Sequence, residues 1–100
     1  MKFDVKYTES AEEDLDNIFE YIAEDNLEKA IEFTEELRKS ANLLADFPFM
    51  GREREDEELL LINSRKKVYR NYIIYYSVIG GAVYIEHIQH GSKPLDLNLS

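Results

Sequence analysis

Glu86, His87 and His90 are the chain's nearest approach to a metal-ligand cluster. They fall in a run rich in aromatic and β-branched residues, which marks a strand, and strand neighbours alternate sides. His87 and His90 then point to opposite faces and cannot share an ion unless a bulge intervenes. No serine sits in a nucleophile motif, and no glycine loop is spaced to cradle phosphate. The absence of cysteine removes disulfides, thiol chemistry and thiolate metal sites. The seven tyrosines are the residue type of cores and interfaces, where a buried ring needs only one partner for its hydroxyl. What remains is a small basic patch near Arg65.

That patch is set in an acidic protein. Residues 1–58 hold 19 acids and 7 bases, net -12, whereas residues 59–100 hold 2 acids and 5 bases, net +3. The acids suit a solvated helix surface. They argue against general nucleic-acid affinity, which clustered Lys and Arg would drive. One hundred residues make one domain, residues 1–100, long enough to bury roughly two-thirds of the unfolded surface. The start, MKFDVK, lacks an apolar signal-peptide region. The longest uncharged run, Tyr72 to Ile85, falls short of the roughly 20 residues a spanning helix needs. These features imply a cytoplasmic protein with no membrane contact.

The elements follow from periodicity. Lys2 to Tyr7 alternates as a half-buried strand. Ser10 and Glu13 form a capping box before Ala11, Leu15, Ile18 and Ile22, which predicts a first helix from about Ala11 to Glu24. Asn26 caps a second helix through Ala30, Phe33, Leu37, Ala41 and Leu44, and Pro48 ends it. The very short connection makes the pair an antiparallel helical hairpin. Arg52 to Glu58 reads as an exposed loop, and Leu59 to Ile62 as a strand or buried loop. Arg65 to Val68 begins a meander that turns near Tyr69-Arg70. Two strands, Tyr72–Ile79 and Ala82–His90, flank Gly80-Gly81, a strong hairpin signal because tight hairpin turns need positive φ. The tail after Gly91 can add an edge strand or fray.

A two-residue hairpin loop sets the register, with Tyr75 facing Glu86, Ile73 facing Ile88 and Asn71 facing His90. One face then carries Tyr72, Ile74, Tyr76, Val78, Val83, Ile85, His87 and Gln89, and its denser apolar centre assigns it to the core. The other carries Ile73, Tyr75, Tyr84, Glu86, Ile88 and His90, too apolar to stay fully wetted. The order β-α-α-β-β-β predicts an α+β domain, its helices packed on one face of a mostly antiparallel sheet.

Read in order, the motifs resemble the RelE/ParE superfamily of bacterial type II toxins, and its ParE branch more closely. After the first strand comes A-x-x-D-L-x-x-I-x-x-Y-I-A, here Ala11, Asp14, Leu15, Ile18, Tyr21, Ile22 and Ala23. Ala30 and Phe33 supply A-x-x-F in the second helix. There follow a P-x-x-G-R corner (Pro48, Gly51, Arg52), Arg65 opening the sheet, Y-x-I-x-Y at Tyr72, Ile74 and Tyr76, and an ending at His90-Gly91-Ser92-Lys93. Lys93 stands where the family usually has arginine, which turns a bidentate contact into a point charge.

The resemblance implies a toxin that binds and inhibits DNA gyrase without a cofactor and is neutralised by a co-expressed antitoxin in a hetero-oligomer. A RelE-like messenger RNA endonuclease is the alternative. Its chemistry needs cations to hold phosphate and a general acid or base, and Arg65, Lys67, Arg70, His90 and Lys93 are the candidates. A third alternative is an antitoxin-binding module without toxicity. The strip of Ile73, Tyr75, Tyr84, Glu86 and Ile88 is the expected antitoxin surface. The acids Glu28, Glu32, Glu35 and Glu36 call for a segment carrying Lys or Arg opposite the second helix.

Overall fold

The structure, a computed structural model, describes residues 2–53 and 64–91. Strand β1 (Asp4–Tyr7) leads into helix α1 (Glu9–Ala23) and helix α2 (Leu27–Asn42), which a 3-10 turn extends over Leu43–Ala45. Strands β2 (Arg52–Glu53), β3 (Ser64–Tyr69), β4 (Tyr72–Ile79) and β5 (Ala82–His90) follow. The sheet order is β1-β5-β4-β3-β2. β1 runs parallel to β5, and every other pair is antiparallel. The α+β architecture with its helical hairpin on one sheet face is as expected. Leu59 to Ile62 and the tail from Ser92 lie outside the described residues, as does Lys93.

Both helices are amphipathic and bury one stripe. Leu15, Ile18, Leu37 and Leu44 meet Ile74, Tyr76, Val83 and Ile85 in the core, with Ile22 and Phe33 packed at its margin. The caps differ in origin. Asn26 caps α2 as anticipated, its Oδ1 accepting the Lys29 N–H at 3.0 Å. In α1 the cap is Thr8 rather than Ser10, with Thr8 Oγ1 accepting the Ala11 N–H at 3.1 Å. The same hydroxyl donates to the Glu86 carbonyl at 3.1 Å, so a tertiary contact selects the cap and α1 starts two residues early. Helix α2 stops at Asn42, well before Pro48, because the last turn tightens into the 3-10 segment.

The hairpin holds its expected register at the turn, Ile79 opposite Ala82, and then departs from it. Tyr76 pairs with Ile85 but Tyr75 pairs with His87, so Glu86 is the extra residue of a bulge. Beyond it Ile74 pairs with Ile88, Ile73 with Gln89 and Tyr72 with His90, correcting the predicted partners by one. The bulge also swaps faces. Ile88 enters the core instead of the far face, and His90 sets its ring edge-on to Tyr72 on the helix side, 5.3 Å between centroids. The cause is visible at the β5 edge. β1 ends opposite Ile85, and from there Thr8 and Asp14 take over, the Asp14 carboxylate accepting the Ile88 N–H at 2.8 Å. His87 lies beside it, Nδ1 3.4 Å from the same carboxylate oxygen.

The stretch from Arg52 is not all loop. Arg52 and Glu53 pair with Lys66 and Arg65, placing a two-residue strand at the sheet edge.

Candidate functional site

Two surface features are built around β3. The first is an open groove of about 710 Å³ between the C-terminal half of α2 and β3, lined by Glu36, Lys39, Ser40, Asn42, Leu43 and Tyr69. Leu43 is 48% exposed because it lies one position off the buried Leu37–Ala41–Leu44 stripe. Tyr69 is fixed by a relay in which Arg70 Nε donates to its hydroxyl at 3.2 Å and the hydroxyl donates to Glu36 Oε2 at 2.9 Å. Its ring rests on Phe33, 5.8 Å between centroids. Groove floor and wall are therefore apolar and rigid, with ionic groups at the rim.

The second feature is the corner after α2. Gly51 fits against Tyr76, whose buried hydroxyl accepts the Gly51 N–H at 2.9 Å. A Cβ at Gly51 would run into that hydroxyl and lie 2.7 Å from the Lys66 carbonyl, so only glycine can make this approach. Arg65 Nη1 donates to the Phe49 carbonyl at 3.2 Å and the Gly51 carbonyl at 2.9 Å. Its guanidinium also stacks over the Phe49 ring at 5.0 Å.

These contacts locate the candidate nuclease residues. Arg65 clasps the corner. Lys67, on the same strand face two residues on, donates from Nζ to the Ser40 carbonyl at 2.7 Å. Burial pushes its ammonium below the usual lysine range. Arg70 sits at the β3–β4 turn with φ of 53° and faces Glu36 at 3.9 Å. His90 shares a shallow cleft with Arg70, Asn71 and Tyr72 at the open end of the hairpin. Thus Arg70 and His90 come together, while Arg65 stands at the far end of β3, roughly 16 Å away at strand rise. Among the described residues no group of three His, Cys, Asp or Glu side chains could hold a metal.

The expected antitoxin strip is less open than its composition suggested. Tyr75 is 6% exposed and Ile88 2%. Ile73 and Tyr84 are half-buried, and Glu86 accepts a hydrogen bond from Ser77 Oγ at 3.2 Å. Sequence reasoning missed the groove residues Lys39, Asn42, Leu43 and Tyr69. The available signal was Leu43, a leucine one position off the Leu37–Ala41–Leu44 stripe. It missed the apolar corner as well, although Phe47-Pro-Phe-Met is plain in the sequence.

Comparison with known proteins places this geometry. Residues 5–95 match the model of the ParE toxin of type II toxin-antitoxin systems, parDE. A chain of the chromosomal ParDE TA system from P. aeruginosa superposes with a TM-score of 0.73 at 22% identity, covering 89% of this chain and 96% of that one. A chain of the toxin–antitoxin complex RelBE2 from Mycobacterium tuberculosis gives a TM-score of 0.59 at 20% identity, covering 90% and 99%. At these identities the two structures carry the fold alone. No curated relative matches the chain. Among the described residues no helix is long and apolar enough to cross a membrane.

Proposed function

The chain belongs to the ParE toxin family of type II toxin–antitoxin systems, and from that premise we propose that it binds and inhibits DNA gyrase and is held inactive by a cognate antitoxin. The observation that carries a binding function over a catalytic one is how the cations are used. Arg65 and Lys67, which a phosphate would need, each donate to backbone carbonyls inside the fold. A nuclease needs such donors aimed at the developing charge.

The antitoxin's place in this reading is the groove beside α2. An amphipathic segment would set its apolar anchors on Leu43 and Tyr69 and meet Lys39 and Glu36 at the rim. The exposed acids Glu28, Glu32 and Glu35 along α2 favour Lys or Arg in the flanking part of the segment. Such charges act mainly on the association rate and its salt dependence. The half-buried Ile73 and Tyr84 remain available to a longer segment.

One observation favours the RNA endonuclease as a second reading, namely the cleft that Arg70 and His90 share. Inducing the protein alone separates the two. Gyrase inhibition predicts an SOS response and loss of plasmid supercoiling. Ribosome-dependent cleavage of mRNA, abolished by His90→Ala, would instead establish the nuclease. Normal growth together with tight antitoxin binding would identify a non-toxic binding module.

A further inference from the structure

One side of α2 carries a repeat. Lys29, Glu32, Glu36, Lys39 and Leu43 follow one another at steps of three and four. All five line clefts, the groove already described and a smaller one of about 280 Å³ that shares Glu36 with it. Steps of three and four keep a stripe facing a neighbouring helix turn after turn. Each cleft has its own apolar bed, Ile22 and Phe33 in the smaller, Leu43 and Tyr69 in the larger. The Tyr69–Glu36–Arg70 relay joins them, Tyr69 lining one and Arg70 the other.

The charges on this stripe are not equally engaged. Glu36 accepts the Tyr69 hydroxyl at 2.9 Å and faces Arg70 at 3.9 Å, and Glu32 adds to the negative charge that Arg70 feels. Lys29 and Lys39 are exposed, and among the described residues neither ammonium has a hydrogen-bond or ion-pair partner. The described residues lining the two clefts hold three cations, Lys29, Lys39 and Arg70, against two acids, Glu32 and Glu36. Three less two leaves the lining at +1 on a chain of net charge -9. The two lysines are spaced roughly 15 Å apart along the helix axis. A second copy of this chain does not answer the pattern. Laid antiparallel over the stripe it sets Lys29 against Lys39 and Glu32 against Glu36. Laid parallel it sets each residue against itself, so like charge meets like either way.

We infer that the stripe is read by an amphipathic helix of the antitoxin, which sets one carboxylate over Lys29, another over Lys39, and apolar anchors in the two clefts. This rests on the proposed reading of the chain as a toxin held by an antitoxin, and it makes Lys29 and Lys39 specificity determinants of that contact. Glu28 and Glu35 lie one position off the stripe, so basic residues that meet them belong to the outer flank of the segment.

Binding of the purified cognate antitoxin to the full chain is the test, with association followed at two salt concentrations. Lys29→Glu/Lys39→Glu should slow association by roughly tenfold and flatten its salt dependence, with thermal unfolding unchanged because both side chains are exposed. A single exchange of an acid for lysine in the antitoxin segment should restore binding to Lys39→Glu. Affinity and salt dependence equal to wild type in the double variant, with Leu43→Ala still weakening binding, would overturn the charge pairing and leave the groove as the antitoxin's place. Weakened self-association in sedimentation, in place of weakened antitoxin binding, would overturn it in favour of a second copy. Wild-type protein that does not bind the antitoxin would remove the proposed reading itself, and this pairing with it.

Discussion

The groove beside α2 and the corner at 47–51 are both apolar surfaces, one toward each end of the same strand, and they are made by opposite means. The groove exists because a leucine sits beside the stripe. Past Asn42 the core stripe still buries Leu44, and Leu43, one position off it, is left facing solvent in the groove with Tyr69. The corner exists because a turn is held. Tyr76 and Arg65 fasten its backbone so closely that Gly51 has no room for a methyl group. One surface is a by-product of packing and tolerates change. The other is a construction whose parts depend on each other.

The largest effects should therefore fall where the two regions share the core or where the corner is fastened. Leu37 is fully buried in the core, and Leu37→Ala should cost about 2–5 kcal/mol in chemical denaturation. A loss below about 0.5 kcal/mol would remove it from the core. Tyr76→Phe should cost about 1–3 kcal/mol, because the buried Gly51 N–H loses its acceptor. If the phenylalanine variant unfolds with the wild-type midpoint, the corner is not held by that hydroxyl.

A pH titration gives a subtler contrast. Burial raises the phenols of Tyr76, Tyr7 and Tyr72 above the ordinary value of 10.0. Above that value the unfolded phenols ionise while the native ones resist. The native state then holds more protons, and stability falls as pH rises through the native titration range. Tyr76→Phe should shallow this alkaline loss, measured as Tm against pH from about 9 to about 11, around tyrosine's ordinary value. An unchanged slope would assign the loss to other groups. The smallest effect on folding belongs to the groove. Leu43→Ala should shift stability by about 0.5 kcal/mol or less, as at other exposed sites, yet weaken antitoxin binding measurably. Unimpaired binding would move the antitoxin off the groove.

The same contrast explains what could be read in the residues. Local patterns located nearly every element, because Gly80-Gly81, Asn26 and the Leu15–Ile18–Ile22 stripe act through neighbours in the chain. The bulge at Glu86 was not legible, since it is imposed by Thr8 and Asp14 across the β1 edge. Its cost was Ile88, placed on the wrong face and so in the wrong role. The strand at Arg52–Glu53 was hidden by its charge, because at the end of the strand order charged residues are ordinary. Arg65 was recognised as opening the sheet, but its work at the corner depends on a carbonyl geometry that no spacing encodes.

The parallel pairing of β1 with β5 sets an order of events during synthesis. Among the described residues, the first strand made has as its sheet partner the last one, Asp4 beside Ala82 and Tyr7 beside Ile85. The helical hairpin emerges from the ribosome with its apolar stripe uncovered, and it stays so until the final hairpin is released, since non-local pairings form last. A chain truncated before Ala82 lacks the strand that joins β1 to the rest of the sheet, and with it the core residues Val83, Ile85 and Ile88. The fold thus works as a completeness check, in which a partly translated chain has its helical hairpin but not the finished sheet on which that hairpin packs.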